Sequence, residues 1–129
     1  MGNKKTVLIV DDDDLVLESI DLLLSAVDEF QTIRARGSVG AISHMDHTQH
    51  IDVIVADVIL AGGLSGIDVC RKARTQCPEV AMVVITADTE VHRADVPPRG
   101  VLLRKPFGGD QLVAAISDAL TRVSATPLD

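Results

Sequence analysis

Val7-Leu8-Ile9-Val10-Asp11-Asp12-Asp13-Asp14 is the stretch that decides the fold. Its apolar half shows no alternation and is mostly β-branched, the pattern of a parallel strand buried on both faces. The same grammar returns three times. Val53-Ile54-Val55-Ala56 ends in Asp57, Met82-Val83-Val84-Ile85 ends in Thr86, and Leu102-Leu103-Arg104 leads into Lys105-Pro106-Phe107. In an open α/β sheet, ligands bind in the crevice beyond the carboxyl ends of the strands. Carboxylates, a hydroxyl and an ammonium are therefore expected to meet on one rim.

Between these runs the chain alternates strand and helix. Strands are predicted near Thr6–Val10, Gln31–Ala35, Val53–Ala56, Ala81–Ile85 and Val101–Arg104. The acidic run caps a helix over about Leu15–Val27, with Val16, Ile20, Leu23, Leu24 and Val27 on its inner side. A short helix between Gly37 and about Met45 follows the second strand. Ser65 with Asp68 three residues on forms a capping box, opening a helix that stops before Pro78. The last helix starts near Asp110, with a buried stripe of Leu112, Val113, Ile116, Leu120 and Val123. From Thr86 to Val101 apolar residues are sparse and Pro97-Pro98 intervenes, so the fourth helix is expected to be short, irregular or mobile. This alternation predicts an α/β, flavodoxin-like, doubly wound five-stranded parallel sheet of order 2-1-3-4-5. That order makes strands one and three neighbours, placing the acidic run beside Asp57.

The composition narrows the function. A chain of 129 residues is one ordinary domain, ordered over about 5–123, with the tail 124–129 expected to fray. With 47% hydrophobic residues and only Phe30 and Phe107 as aromatics, the core is aliphatic. A net charge of −7 opposes direct nucleic-acid binding, which needs a basic face. No stretch reads as a signal peptide or membrane span, and a cytoplasmic protein is expected. Cys70 and Cys77 match no metal or redox spacing. His44, His47 and His50 drift around a helix with nothing to complete a tetrahedral set, and read as a solvated edge. Asp13 and Asp14 read as charge favoured at a helix N-terminus. Asp11, Asp12 and Asp57 would repel one another unless a cation joins them. Hard oxygen ligands beside a single lysine suit Mg²⁺ and a phosphoryl group.

These residues, in this order, resemble a response-regulator receiver domain, the phosphoacceptor module of two-component signalling. The resemblance rests on Ile-Val-Asp-Asp at 9–12, Asp57 after an apolar strand, Gly66 nine residues further, Ile-Thr-Ala at 85–87, and Lys105-Pro106-Phe107. It implies that Asp57 is the phosphoacceptor. It implies a Mg²⁺ site of Asp12, Asp57 and the Ile59 backbone carbonyl, with Asp11 direct or through water. Thr86, Lys105 and backbone N–H groups near Val58 and Ala87 would receive the phosphoryl group, and Lys105–Pro106 is a candidate cis peptide. The implied partner is a sensor histidine kinase or phosphotransfer protein; a homodimer is left open, as is the downstream target. Such a domain catalyses its own phosphorylation and dephosphorylation but turns over no external metabolite.

The chain also departs from the family pattern. Ala61 replaces the usual proline, and the Gly62-Gly63 loop is longer, like that of receivers attached to hybrid kinases. The 86–105 segment is short, and Leu102 stands where a switch aromatic is expected. With few contacts to hold it, Ala87–Gly100 is the expected mobile switch. Two other readings compete. Asp11-x-Asp13, a strand-end threonine and a later lysine mimic haloacid-dehalogenase-like phosphatases, but that family needs a further acidic motif beyond the lysine and leaves Asp57 without a role. A receiver-like binding module without phosphate signalling would suit the atypical 87–101 stretch but not the intact acidic site. No output domain is read in the chain, which is expected to be stand-alone or part of a larger regulator.

Overall fold

The computed structural model describes residues 4–47 and 50–125. Five strands, β1 (Lys5–Asp11), β2 (Phe30–Arg36), β3 (Val53–Asp57), β4 (Ala81–Thr86) and β5 (Val101–Arg104), form one parallel sheet. Their order is β2-β1-β3-β4-β5, the flavodoxin-like order expected. The helices are α1 (Asp14–Ser25), α2 (Gly37–His47), α3 (Gly66–Gln76) and α4 (Gly109–Ala125).

The unbroken apolar runs are explained by two cores. Successive strand residues point to opposite faces. Val7, Ile9, Val53, Val55, Val83 and Ile85 face α1 and α4, whereas Leu8, Val10, Ile54, Ala56, Met82 and Val84 face α2 and α3. Each fully buried Val, Leu or Ile contributes about 1.5–3 kcal/mol relative to exposure. No residue from Val7 to Val10 can turn polar without loss from one layer or the other.

The helices depart slightly from their predicted stripes. Leu17, Ile20 and Leu24 are the buried residues of α1, while Val16, Leu23 and Val27 lie partly covered at its margins. In α4, Leu112 and Ile116 are joined in the core by Ala115 and Ala119, with Val113, Leu120 and Val123 at the edge. The α4 helix extends through Ser124 and Ala125; the rest of the expected tail, 126–129, lies outside the described residues.

The fourth crossover contains no α-helix. It holds one 3-10 turn, Arg93–Asp95, and buries Val91, Val96 and Pro97. The expectation that few contacts hold it is corrected. Arg104 donates to the carbonyls of Asp88 (3.0 Å) and Val91 (2.5 Å), Arg74 donates to Pro98 O, and Arg99 donates to Pro78 O at 3.4 Å. Arginine side chains supply, through carbonyls, the tethering that a helix would supply through apolar packing.

Candidate functional site

Strand register builds the site. Val10 pairs with Ala56, so Asp11 and Asp57 follow side by side at the ends of β1 and β3. Asp57 pairs with Ile85, and Thr86 pairs with Arg104, the residue before Lys105. Four strand ends thereby deliver two carboxylates, a hydroxyl and an ammonium to one rim.

Lys105 Nζ donates to Asp57 Oδ2 at 2.9 Å and lies 3.8 Å from Asp11 Oδ2. The Lys105–Pro106 peptide bond is cis. The Lys105 N–H donates to Thr86 O at 2.9 Å, fixing the start of the loop on β4. Burial works against the Lys105 ammonium, but the hydrogen bond and charge of Asp57, aided by Asp11 and Asp13, hold its pKa above the ordinary value. Asp11 is only 5% exposed. Burial is the main reason its carboxyl titrates above the usual range, and Asp57 adds to it; the Asp13 N–H on Asp11 Oδ1 (2.9 Å) and Lys105 act the other way. A buried carboxylate and a half-buried one sharing one ammonium are short of positive charge.

The rest of the acidic run has other duties. Asp13 caps α1 by accepting from the Leu15 N–H at 2.9 Å. Asp14 pairs with Arg36 on the surface. Asp12 does not face Asp57: its Oδ2 accepts the Ala61 N–H at 2.7 Å. Among the described residues, no three His, Cys, Asp or Glu side chains are gathered into a metal-ligand cluster. The orientation of Asp12 accounts for this, because Asp11 and Asp57 alone are drawn together. Their all-oxygen chemistry and uncompensated charge still fit a hard divalent cation.

Around Asp57 the backbone is tightly placed. Gly66, the first residue of α3, donates to Val58 O at 2.8 Å, and a Cβ added there would lie 1.9 Å from Asp57 O. The Ser65–Asp68 capping box holds that turn with two reciprocal hydrogen bonds of 3.1 Å. The Val58 N–H expected to greet a phosphoryl group is already donated to Ile85 O at 3.0 Å. The amide that faces the carboxylate is that of Ile59, 3.3 Å from Asp57 Oδ1. Thr86 is 1% exposed, and its Oγ1 accepts the Asp88 N–H at 2.9 Å, leaving the hydroxyl proton to donate. Ala87 follows it in the open. Leu102, on β5, packs partly buried against the α2–α3 core.

Sequence reading missed the Ala61 N–H and the Ser38 side chain beneath it; nothing in their spacing announces a contact across the rim. The histidines bind locally: His47 Nδ1 lies 2.8 Å from Ser43 O and His50 Nε2 lies 2.7 Å from Asp52 Oδ1. Cys70 is buried, which pushes its thiol up to about 12, and Cys77 ends α3; both are free.

The sequence profile of the response regulator receiver domain family matches residues 7–117. The chain belongs to this family. Receiver domains are the signalling modules of two-component response regulators. The chain is 30% identical over 131 aligned positions to the probable transcriptional regulatory protein TcrX of Mycobacterium tuberculosis, covering 99% of this chain and 55% of that one. It is 33% identical over 118 positions to a cyclic di-GMP phosphodiesterase of Thermotoga maritima, covering 89% of this chain and 31% of that one. The receiver thus spans about half or less of these relatives. In structure it is similar to a response regulator receiver protein from Sinorhizobium medicae WSM419, with a TM-score of 0.85, 26% identity, and coverage of 93% and 97% of the two chains. No helix among the described residues of the receiver is long and apolar enough to cross a membrane.

Proposed function

We propose that this receiver takes a phosphoryl group from a partner's phosphohistidine onto Asp57 in a Mg²⁺-dependent reaction, and signals by changing conformation. The observation that carries the reading is the setting of Asp57: its carboxylate stands beside buried Asp11, with Lys105 Nζ 2.9 Å away as the counter-charge.

An oxygen of the Asp57 carboxylate forms the new O–P bond as the N–P bond of the donor breaks, and that electron pair stays on the imidazole nitrogen. Phosphoryl transfer depends on positioning and on neutralising charge over the equatorial oxygens. Mg²⁺, held by Asp11, Asp12, Asp57 and the Ile59 carbonyl, would supply part of that neutralisation when bound. Lys105 exchanges its bond to the free carboxylate for one to a phosphoryl oxygen. The Thr86 hydroxyl, with its proton still available, donates to another. The Ala87 amide is a further donor at the open side of the site.

The partner is a helix carrying the phosphohistidine, from a sensor histidine kinase or phosphotransfer protein. An open, largely apolar groove that reaches Lys105 supports this, lined by Leu15, Val16, Ile20 and Leu23 of α1 with Pro106 and Phe107. Leu15 is 73% exposed there, so a partner can cover it directly beside Lys105.

Incubation with acetyl phosphate, followed by intact-mass measurement, tests the reading. Wild type should gain one phosphoryl group with Mg²⁺ and none with excess chelator, and Asp57→Asn should gain none in either. Equal modification of Asp57→Asn refutes the assignment. No modification of wild type favours a binding module without phosphate signalling.

A further inference from the structure

The metal-binding carboxylate of the reading above already has a competitor within the fold. Asp12 Oδ2 accepts the Ala61 N–H at 2.7 Å, bridging the end of β1 to the loop after β3. The opposite side of the same residue is fastened too: Ala61 O accepts from the Ser38 N–H and the Ser38 hydroxyl, each at 3.0 Å. Gly37 makes the junction possible. It has φ +75°, and an added Cβ would lie 3.1 Å from Ala61 O and 3.2 Å from Asp12 Oδ1. Next along the loop, Gly62 has φ +100°, and an added Cβ would lie 2.4 Å from Ser38 Oγ. The chain thus brings the 58–65 loop down on the first turn of α2 and pins it at Ala61 from two directions.

We propose that Asp12 exchanges between the Ala61 amide and a divalent cation shared with Asp11 and Asp57, so that cation binding unfastens the Gly62-Gly63 loop from β1. The proposal rests on the metal-dependent reading of the site and adds the regulation of its loop. Asp12 Oδ2 is held by the Ala61 N–H and Oδ1 lies toward Gly37, so bringing the carboxylate to the Asp11–Asp57 pair requires it to turn away from the amide. The amide bond is charge-assisted, so breaking it draws on cation affinity. It is also exposed, where such bonds are weaker. Removing the competing N–H should therefore tighten Mg²⁺ binding about three- to tenfold. The Ser38 bonds to Ala61 O survive the exchange, so the loop loosens at one fastening and does not leave α2.

Two measurements on the full chain decide it, with Mg²⁺ alone as the probe. In amide-resolved hydrogen exchange of wild type, Mg²⁺ should accelerate exchange at the Ala61 N–H while the Ser38 N–H stays protected. In calorimetric titration, Ala61→Pro, which has no amide proton, should bind Mg²⁺ about three- to tenfold more tightly than wild type. Mg²⁺ binding that leaves Ala61 exchange unchanged overturns the proposal even if the proline variant fails to fold. Equal affinity in a folded Ala61→Pro also overturns it, while the metal-dependent reading stands. Absence of Mg²⁺ binding in wild type, or binding that Asp11→Asn and Asp57→Asn leave intact, overturns the reading beneath it as well.

Discussion

Gly66→Ala probes the backbone support of Asp57 with the least chemical change. The new methyl carbon would lie 1.9 Å from Asp57 O, 2.6 Å from its carbonyl carbon and 3.2 Å from Val58 Cα. A comfortable C···O approach is about 3.3–3.6 Å, so the contact must open by roughly 1.4 Å. Neither side yields easily. Asp57 ends a strand paired to β4, and Gly66 is fixed by its bond to Val58 O and by the adjacent capping box. Overpacking of this kind costs about 1–3 kcal/mol, and rigid backbone on both sides puts it at the upper end. With an unfolding entropy of about 2.1 cal/mol/K per residue, a loss of about 3 kcal/mol lowers the melting temperature of a chain this size by roughly 10 °C. The shift also moves the Asp57 carboxylate, so the rate of phosphorylation by acetyl phosphate should fall. Circular-dichroism melts at pH 7 and intact-mass time courses measure the two effects. A variant that melts within about 2 °C of wild type and is phosphorylated at the same rate would show that α3 does not bear on the Asp57 peptide.

Lys105→Ala should still bind Mg²⁺, because it removes an ammonium from the carboxylates and no oxygen ligand, but its phosphorylated form should lose the structural response; calorimetry and hydrogen exchange measure these separately. In wild type, beryllium fluoride should change exchange most within 87–100, through Thr86 Oγ1 and the Asp88 N–H it accepts, and protection changes confined to Asp57 would leave the chain a static phosphate acceptor. Asp21→Ala should cost about 1–2 kcal/mol at pH 7, because the Thr32 hydroxyl above all, then Arg34 and Ser25, hold the Asp21 carboxyl below its ordinary value despite some burial. That contribution is present above the unfolded value of 3.8 and is lost as pH falls through the lower folded value, so the gap from wild type should close only in acid. Asp11 has the opposite sign: burial raises its carboxyl, so its charge costs stability above the folded value, and Asp11→Asn without Mg²⁺ should melt higher than wild type at pH 7, with the gain shrinking as pH falls through that value.

The central strands β1, β3 and β4 were legible because each sits between two helix layers, and burial on both faces leaves an unbroken apolar run such as Val7–Val10. The strand-end residues Asp11, Asp57, Thr86 and Lys105 were legible for the same reason, since sheet order and register then bring them together. Leu17 was passed over in favour of Val16 because a helix beside a twisted sheet buries a stripe whose centre shifts by one position. The fourth crossover was legible as poor in helix signal, but a short or irregular helix was expected where only the Arg93–Asp95 3-10 turn forms, and its tethers were not legible. Arg74, Arg99 and Arg104 bind backbone carbonyls, and any residue offers a carbonyl, so no residue type marks the partner. The position of Asp12 was hidden for a related reason. Its partner is the Ala61 amide, 49 residues away, and an amide leaves no trace in the side-chain pattern.

On the proposed reading, the phosphoryl group goes to the carboxylate of Asp57. After reaction with acetyl phosphate and Mg²⁺, borohydride reduction converts an aspartyl phosphate to homoserine, and tandem mass spectrometry of the digested chain locates it. Homoserine at position 57 alone, appearing only with Mg²⁺, is the predicted result. Homoserine at Asp11, Asp12 or Asp13, or phosphate retained on a serine, threonine or histidine while Asp57 stays intact, would contradict it.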